Sequence, residues 1–262
     1  MSRIAETFAQ LRTDKRRGFI PFITAGDPTL DATRALIVEL ARAGAGIIEL
    51  GVPFSDPMAD GPVIQRASER ALRRGVGVAE VFDVLKDARR ETDVPVVLFS
   101  YYNPLLQYGA ERLCQDAKRA GVDGMLVTDL APEESADFND ALRAHSLDLI
   151  FLVAPTSTDA RLERIAERAS GFIYAVSRAG VTGVQNESST EAERLVARVR
   201  AHTDLPVAVG FGISTRQQVA DVWRYADAAV VGSAIVSEIE KRGDAPDLVA
   251  RVGQFARSLL PS

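Results

Sequence analysis

Glu49 stands inside the apolar run Ile47-Ile48-Glu49-Leu50, and Asp60 follows eleven residues later in the turn-rich stretch Val52-Pro53-Phe54-Ser55-Asp56-Pro57-Met58-Ala59-Asp60-Gly61. One carboxylate in a strand and a second in the loop leaving it make a layout suited to moving protons. With a side-chain period of two, Ile47, Glu49 and Gly51 share one face and Ile48 and Leu50 the other, so Glu49 points away from water. A buried carboxylate with no cation beside it is held toward its neutral form, and its raised pKa lets it give and take a proton near pH 7. No Lys or Arg flanks Glu49 in the sequence. The competing reading is a structural glutamate satisfied by backbone donors, since Glu is seldom fully buried unless paired.

Several other chemistries lack their residues. The four lysines, Lys15, Lys86, Lys118 and Lys241, lie before the first apolar run or in helical patterns, where none can serve as a Schiff-base amine. Of the two histidines, His145 falls near a helix end and His202 just before a strand, so a histidine metal centre is not expected. The single cysteine, Cys114, lies in the helical pattern Glu111 to Ala120 and reads as a small core residue. What remains is general acid-base catalysis.

The elements that must position these carboxylates recur along the chain. Eight apolar runs, Phe19 to Thr24, Ile47 to Leu50, Val96 to Ser100, Gly124 to Thr128, Leu149 to Val153, Phe172 to Val176, Val207 to Val209 and Ala228 to Val231, alternate with amphipathic helices. Arg42-Ala43-Gly44 and Arg119-Ala120-Gly121 end helices with a glycine cap. The 262 residues, 47% hydrophobic and without a linker, are expected to form a single α/β domain, a (β/α)8 TIM barrel spanning 1–262. An additional N-terminal helix covers Ile4 to Thr13, and more helix lies within Pro62 to Arg90. An open doubly wound sheet competes, but its glycine fingerprint is missing: Gly210-Phe211-Gly212 has Thr215 where a third glycine belongs. A net charge of -5 with scattered basic residues offers no footprint for nucleic acid. No apolar run approaches the ~18 residues of a membrane span, and Met1-Ser2-Arg3-Ile4-Ala5-Glu6 lacks a secretion core, so a cytoplasmic protein is expected.

In a barrel, chemistry belongs at the carboxyl ends of the strands. There strand one offers Phe22 and Thr24, strand two Glu49, strand three Tyr101, strand four Asp129, and strand six Tyr174 with Ser177-Arg178. Strands seven and eight offer glycines instead. Gly210-Phe211-Gly212-Ile213 runs into Ser214, a candidate N-cap with Gln217 three residues on, and Gly232-Ser233 opens another helix. Glycines before helix amino ends expose amides to an anion, and two such neighbouring loops point to phosphate, although either alone could be turn punctuation.

These segments together resemble the α subunit of tryptophan synthase across nearly the whole chain. The resemblance rests on Glu49-Leu50-Gly51-Val52-Pro53-Phe54-Ser55-Asp56-Pro57 with Ala59-Asp60-Gly61. Supporting it are Phe22-Ile23-Thr24-Ala25-Gly26-Asp27-Pro28, Pro132-Glu133-Glu134-Ser135, Ser177-Arg178-Ala179-Gly180-Val181-Thr182-Gly183, Gly210-Phe211-Gly212-Ile213-Ser214 and Gly232-Ser233-Ala234-Ile235-Val236. It implies retro-aldol cleavage of indole-3-glycerol phosphate to indole and glyceraldehyde 3-phosphate within L-tryptophan biosynthesis. It implies no cofactor in this subunit, and a β-subunit partner that carries pyridoxal phosphate and receives the indole in an α2β2 complex. By the same resemblance Glu49 removes the side-chain hydroxyl proton as the bond breaks, and Asp60 stabilises the positive indole ring through its N–H. Phe22 packs the ring, Tyr101 and Tyr174 line the pocket, and Thr182 belongs to a closing lid that reaches Thr190. Gly183, Phe211, Gly212, Gly232 and Ser233 match phosphate-binding positions. The loop Pro53 to Pro57 and Tyr102-Asn103-Pro104 resemble partner-facing segments.

Two departures stand out: Phe99 and Ser100 replace smaller aliphatic or sulfur-containing residues of some relatives, and the lid after Gly183 reads Val184-Gln185-Asn186-Glu187-Ser188-Ser189. A free-standing indole-releasing lyase of the same chemistry remains the alternative. A non-catalytic barrel acting as an interaction subunit is disfavoured, because a binding module has no need of a buried titrating carboxylate.

Overall fold

The apolar runs become strands because each is short, aliphatic on both faces and followed by an amphipathic helix that covers its outer side. The computed structural model describes residues 1–176, 185–210 and 212–261, with backbone only for 185–189. In it α1 (Arg3–Thr13) precedes β1 (Gly18–Thr24), and α2 (Leu30–Arg42) leads to β2 (Ile48–Gly51). Next, α3 (Pro62–Leu72) and α4 (Val78–Ala88) lead to β3 (Val96–Ser100), and α5 (Tyr102–Tyr108) and α6 (Ala110–Ala120) lead to β4 (Gly124–Val127). Then α7 (Ala136–Ala144) leads to β5 (Asp148–Val153), α8 (Asp159–Arg168) to β6 (Ile173–Val176), and α9 (Gln185–Arg200) to β7 (Val207–Gly210). Finally α10 (Arg216–Trp223) leads to β8 (Ala228–Val231), with α11 (Ser233–Arg242) and α12 (Leu248–Leu259) after it.

All eight strands are parallel and the sheet closes, β8 pairing with β1 through Phe19 opposite Ala229. This is the (β/α)8 TIM barrel with an N-terminal helix expected from the spacing, and the open sheet is excluded. Strand ends differ from expectation by a residue, as frayed ladders do. Gly121 caps α6 in the left-handed region at φ +86°, as its place after Arg119-Ala120 implies.

Alternation sorts each strand into two cores. Ile48, Leu50, Leu98 and Met125 face the surrounding helices, while Ile47, Val97, Leu126, Ile150 and Phe172 fill the barrel. The same interior cluster takes in Ile4 and Phe8 of α1, with the Phe8 ring 5.8 Å from that of Phe172. Ser2 Oγ donates to Asp148 at 2.6 Å and Arg3 Nε to Asp123 at 2.6 Å, so α1 stoppers the amino end. The opposite end, where β2 delivers Glu49, is left for chemistry.

Candidate active site

Glu49 occupies the inward face of β2, level with Phe22 of β1 and Val97 of β3. Only 1% of it is exposed, and among the described residues its Oε1 has no hydrogen-bond partner. Burial alone pushes its pKa up to about 8. The reading of a structural glutamate satisfied by backbone donors therefore fails on the oxygen it needed to satisfy. Two residues on, Gly51 has no side chain for a steric reason: a β-carbon there would stand 2.6 Å from Cζ of Phe22. The Phe22 ring thus lies over Gly51 and meets Phe99 edge-on, centroids 5.3 Å apart at 79°. An aromatic-walled slot beside a protonatable carboxyl is the result. Tyr174, on β6, completes this side; burial first and the Glu49 charge second raise its pKa well above the ordinary phenol value. Its hydroxyl crosses Gly210, where a β-carbon would come within 2.3 Å of it.

Asp60 sits in the loop between β2 and α3, directly before Gly61, the residue that opens α3. Burial raises its pKa to about 6, and a hydrogen bond from the Tyr101 hydroxyl works against that rise. Tyr101 is buried, stacks against Phe54 with centroids 5.2 Å apart, and its oxygen accepts the Ala59 N–H at 2.9 Å. Its own pKa is pushed up to about 12 by burial and then by the Asp60 charge. Sequence reasoning did not foresee Gln65, whose amide donates to the Asp60 carbonyl at 2.8 Å and ties the loop to the first turns of α3. A glutamine five residues beyond an aspartate carries no recognisable signal. The two carboxylates thus differ in environment: Glu49 is dry, its Oε1 without a partner among the described residues, and Asp60 is partly wet and held.

The expected anion loops separate on inspection. Gly232 opens α11 without a side-chain cap, leaving the first-turn amides without a cap among the described residues, and a β-carbon there would be 3.7 Å from Phe22 Cβ and 3.9 Å from Ile64 Cδ1. The α10 end needs correction. Its N-cap is Thr215 rather than Ser214, with Gln218 rather than Gln217 closing the capping box. Gln218 Oε1 accepts from both Ser214 N at 2.8 Å and Thr215 N at 3.1 Å, so those amides are already engaged. Gly212, at φ +69°, keeps a left-handed turn upstream of them. Ser233 is exposed at the first turn of α11.

Other expected residues fall elsewhere. Asp129 is exposed and accepts the Tyr102 N–H at 2.7 Å, so it serves the start of α5. Thr24 is buried at the end of β1, with its hydroxyl unpartnered among the described residues. Thr182, Gly183 and Phe211, with Ser177-Arg178 and most of the lid, lie outside the described residues. Among the described residues no cluster of three His, Cys, Asp or Glu side chains could hold a metal, and no helix is long and apolar enough to cross a membrane.

Comparison with known proteins bears directly on this arrangement. The family model described as tryptophan synthase alpha chain matches residues 8–259. A tryptophan synthase alpha chain of Geobacter sulfurreducens is 51% identical over 259 residues, covering 99% of this chain and 98% of its own. Among solved structures, tryptophan synthase subunit alpha of Legionella pneumophila superposes with a TM-score of 0.92 at 37% identity, covering 99% of this chain and 97% of that one. A chain of the Pyrococcus furiosus tryptophan synthase α2β2 complex gives 0.86 at 38% identity, covering 92% and 97%. Sequence and fold agree, and the chain belongs to the tryptophan synthase alpha chain family.

Proposed function

We propose that this chain cleaves indole-3-glycerol phosphate to indole and glyceraldehyde 3-phosphate in L-tryptophan biosynthesis, with Glu49 and Asp60 as its catalytic residues. The observation that carries this reading is Glu49, buried beside an aromatic slot with its Oε1 unpartnered among the described residues and a pKa of about 8. At neutral pH it holds a proton, which it gives to indole C3. The ring becomes cationic, and ionised Asp60 stabilises it at the ring N–H, an interaction stronger in that state than with neutral substrate. Glu49, now a carboxylate, takes the proton of the side-chain hydroxyl as the carbon-carbon bond breaks. The bond electrons return to the ring, the aldehyde leaves, and Glu49 ends protonated as it began. The ring itself is the electron sink, so the cycle needs no lysine amine.

Phe22 and Phe99 wall one side of the ring pocket, Tyr101 holds Asp60, and Tyr174 stands beside the reacting chain. Gly232 and Ser233 at the start of α11, with Gly212, Phe211 and Gly183, receive the phosphate. Thr182 belongs to the lid over them. The partner is a β subunit carrying pyridoxal phosphate, in an α2β2 assembly within the cytoplasm. Exposed Met58 and Leu106, 83% and 52% accessible, lie in or beside the segments expected to face it. Steady-state indole release from indole-3-glycerol phosphate, with and without a β subunit, tests the reading. Release stimulated by the partner supports it, fast release by the free chain favours the free-standing lyase, and no release in either case refutes it.

A further inference from the structure

Three segments each carry one part of the proposed site: β1 bears Phe22, the loop into α3 bears Asp60, and α11 opens at Gly232. They meet again on the far side of α3. There Arg70 donates from Nε and Nη2 to the two carboxylate oxygens of Asp27 at 2.8 and 2.9 Å, and from Nη1 to Glu240 at 2.7 Å. Arg66, one turn earlier, holds Glu240 with two further bonds of 2.8 Å each. Asp27 is 2% exposed, so loss of this cation would leave a buried carboxylate without its partner. It lies three residues past Thr24, and Glu240 lies in the second turn of α11. Beneath the ion pairs, Ala67 of α3, Val236 of α11 and Phe22 form a small buried cluster with Ile64 packed on it. Gly26, at φ +84°, brings the β1 loop so near the end of α3 that a β-carbon would stand 3.2 Å from Ala71 Cβ and 2.7 Å from Cγ2 of Val76, just beyond the helix.

We propose that Arg70 is a positioning residue for the reaction above: by bridging Asp27 and Glu240 it locks α3 against α11 and the end of β1, and so sets the span between Asp60 and the phosphate-facing amides of α11. This rests on the proposed function. Arg70 lies eight residues past Pro62, about 12 Å along α3 from the end that Asp60 precedes, too far to touch the ring that Asp60 serves. Its planar fork serves two carboxylates at once, which a lysine ammonium on one flexible stem does not reproduce. The span matters because one substrate must reach both ends, and misplacement of one end erodes the advantage of linking them.

The test compares Arg70→Lys and Glu240→Gln with the parent chain in complex with its β subunit. Readouts are kcat and KM for indole-3-glycerol phosphate and, separately, the affinities of indole and of glycerol 3-phosphate, the two halves of the substrate. Denaturant unfolding gives the folded fraction. Glu240→Gln keeps the Arg70–Asp27 pair and leaves no buried charge exposed, so it stays informative if Arg70→Lys folds poorly. An exposed ion pair on the same helix, Arg73 with Glu69, provides the control variant Glu69→Gln. The expected result is a fall in kcat/KM of about tenfold for Arg70→Lys and severalfold for Glu240→Gln, with both half-molecules bound as before and the control unchanged. Parental kcat/KM per folded molecule overturns the proposal. Loss of glycerol 3-phosphate binding alone overturns it too, because Arg70 would then shape the anion site rather than the span. A parent complex that releases no indole refutes the reaction itself, and this role with it.

Discussion

The pH dependence of kcat/KM discriminates the order of proton transfers most sharply. Asp60, with a pKa of about 6, must be ionised to stabilise the ring cation, and Glu49, at about 8, must be protonated to start the cycle. The product of those two fractions is a bell centred at about pH 7, where both groups are about nine-tenths in the required form, and it falls about tenfold by pH 5 and by pH 9. The assay is indole release at subsaturating substrate across that range in buffers of constant ionic strength. The substrate phosphate also titrates near 6, so the acid limb needs an assignment. Tyr101→Phe supplies it: the Tyr101 hydrogen bond lowers the Asp60 pKa, so its removal moves the acid limb upward and leaves the alkaline limb in place. A rate that keeps rising through pH 9 would refute the scheme, because Glu49 would then enter as a base and another group would have to protonate C3. An acid limb that ignores Tyr101→Phe would belong to the substrate.

Glu49→Gln should lose about a hundredfold or more in cleavage while keeping the fold, since the amide preserves shape and cannot transfer the proton. It should also report on stability. The folded pKa of about 8 exceeds the ordinary 4.5, so the unfolded chain ionises first and the parent loses stability as pH rises from 4.5 to 8. The variant, which does not titrate there, should gain about 3 to 4 kcal/mol on the parent between pH 5 and pH 8 in denaturant unfolding, and a pH-independent difference would show that Glu49 is solvated. Gly232→Val should raise KM for the phosphorylated substrate with unchanged circular dichroism, because its branches enter space facing the α11 amides. Normal affinity in a folded variant would place the phosphate elsewhere. Gly210→Ala should displace the Tyr174 hydroxyl, which a β-carbon would approach to 2.3 Å, and lower kcat without weakening indole binding; unchanged kcat would remove Tyr174 from the reacting region.

Much of this architecture was legible because the barrel imposes simple rules. Aliphatic strands buried on both faces read as unbroken runs, and period two alone sent Glu49 inward with Ile47 and Gly51. What could not be read depends on side chains meeting across loops. Ser214 with Gln217 and Thr215 with Gln218 fit a capping box equally well on paper, and only the backbone register chooses the second. Asp129 lies at a strand end like Glu49, yet the Tyr102 amide claims it. Nothing linear connects Tyr101 to Asp60, or Asp27 to Arg70 and Glu240, since each contact spans more than forty residues. The aromatic slot is half visible in the sequence: Phe22 reads as a ring-packing residue, whereas nothing linear shows that the Phe99 ring meets it edge-on.

The stopper formed by α1 has a consequence for how the chain is made. Ser2, Arg3 and Phe8 find their partners at Asp148, Asp123 and Phe172, so α1 cannot complete its docking until the chain through Phe172 has left the ribosome. At typical elongation rates that wait is on the order of ten seconds, during which Ile4 and Phe8 stay in water on a helix too short to hold itself together. The docking of α1 thus waits on the chain through Phe172, and it closes the floor on which the Glu49 end of the barrel stands.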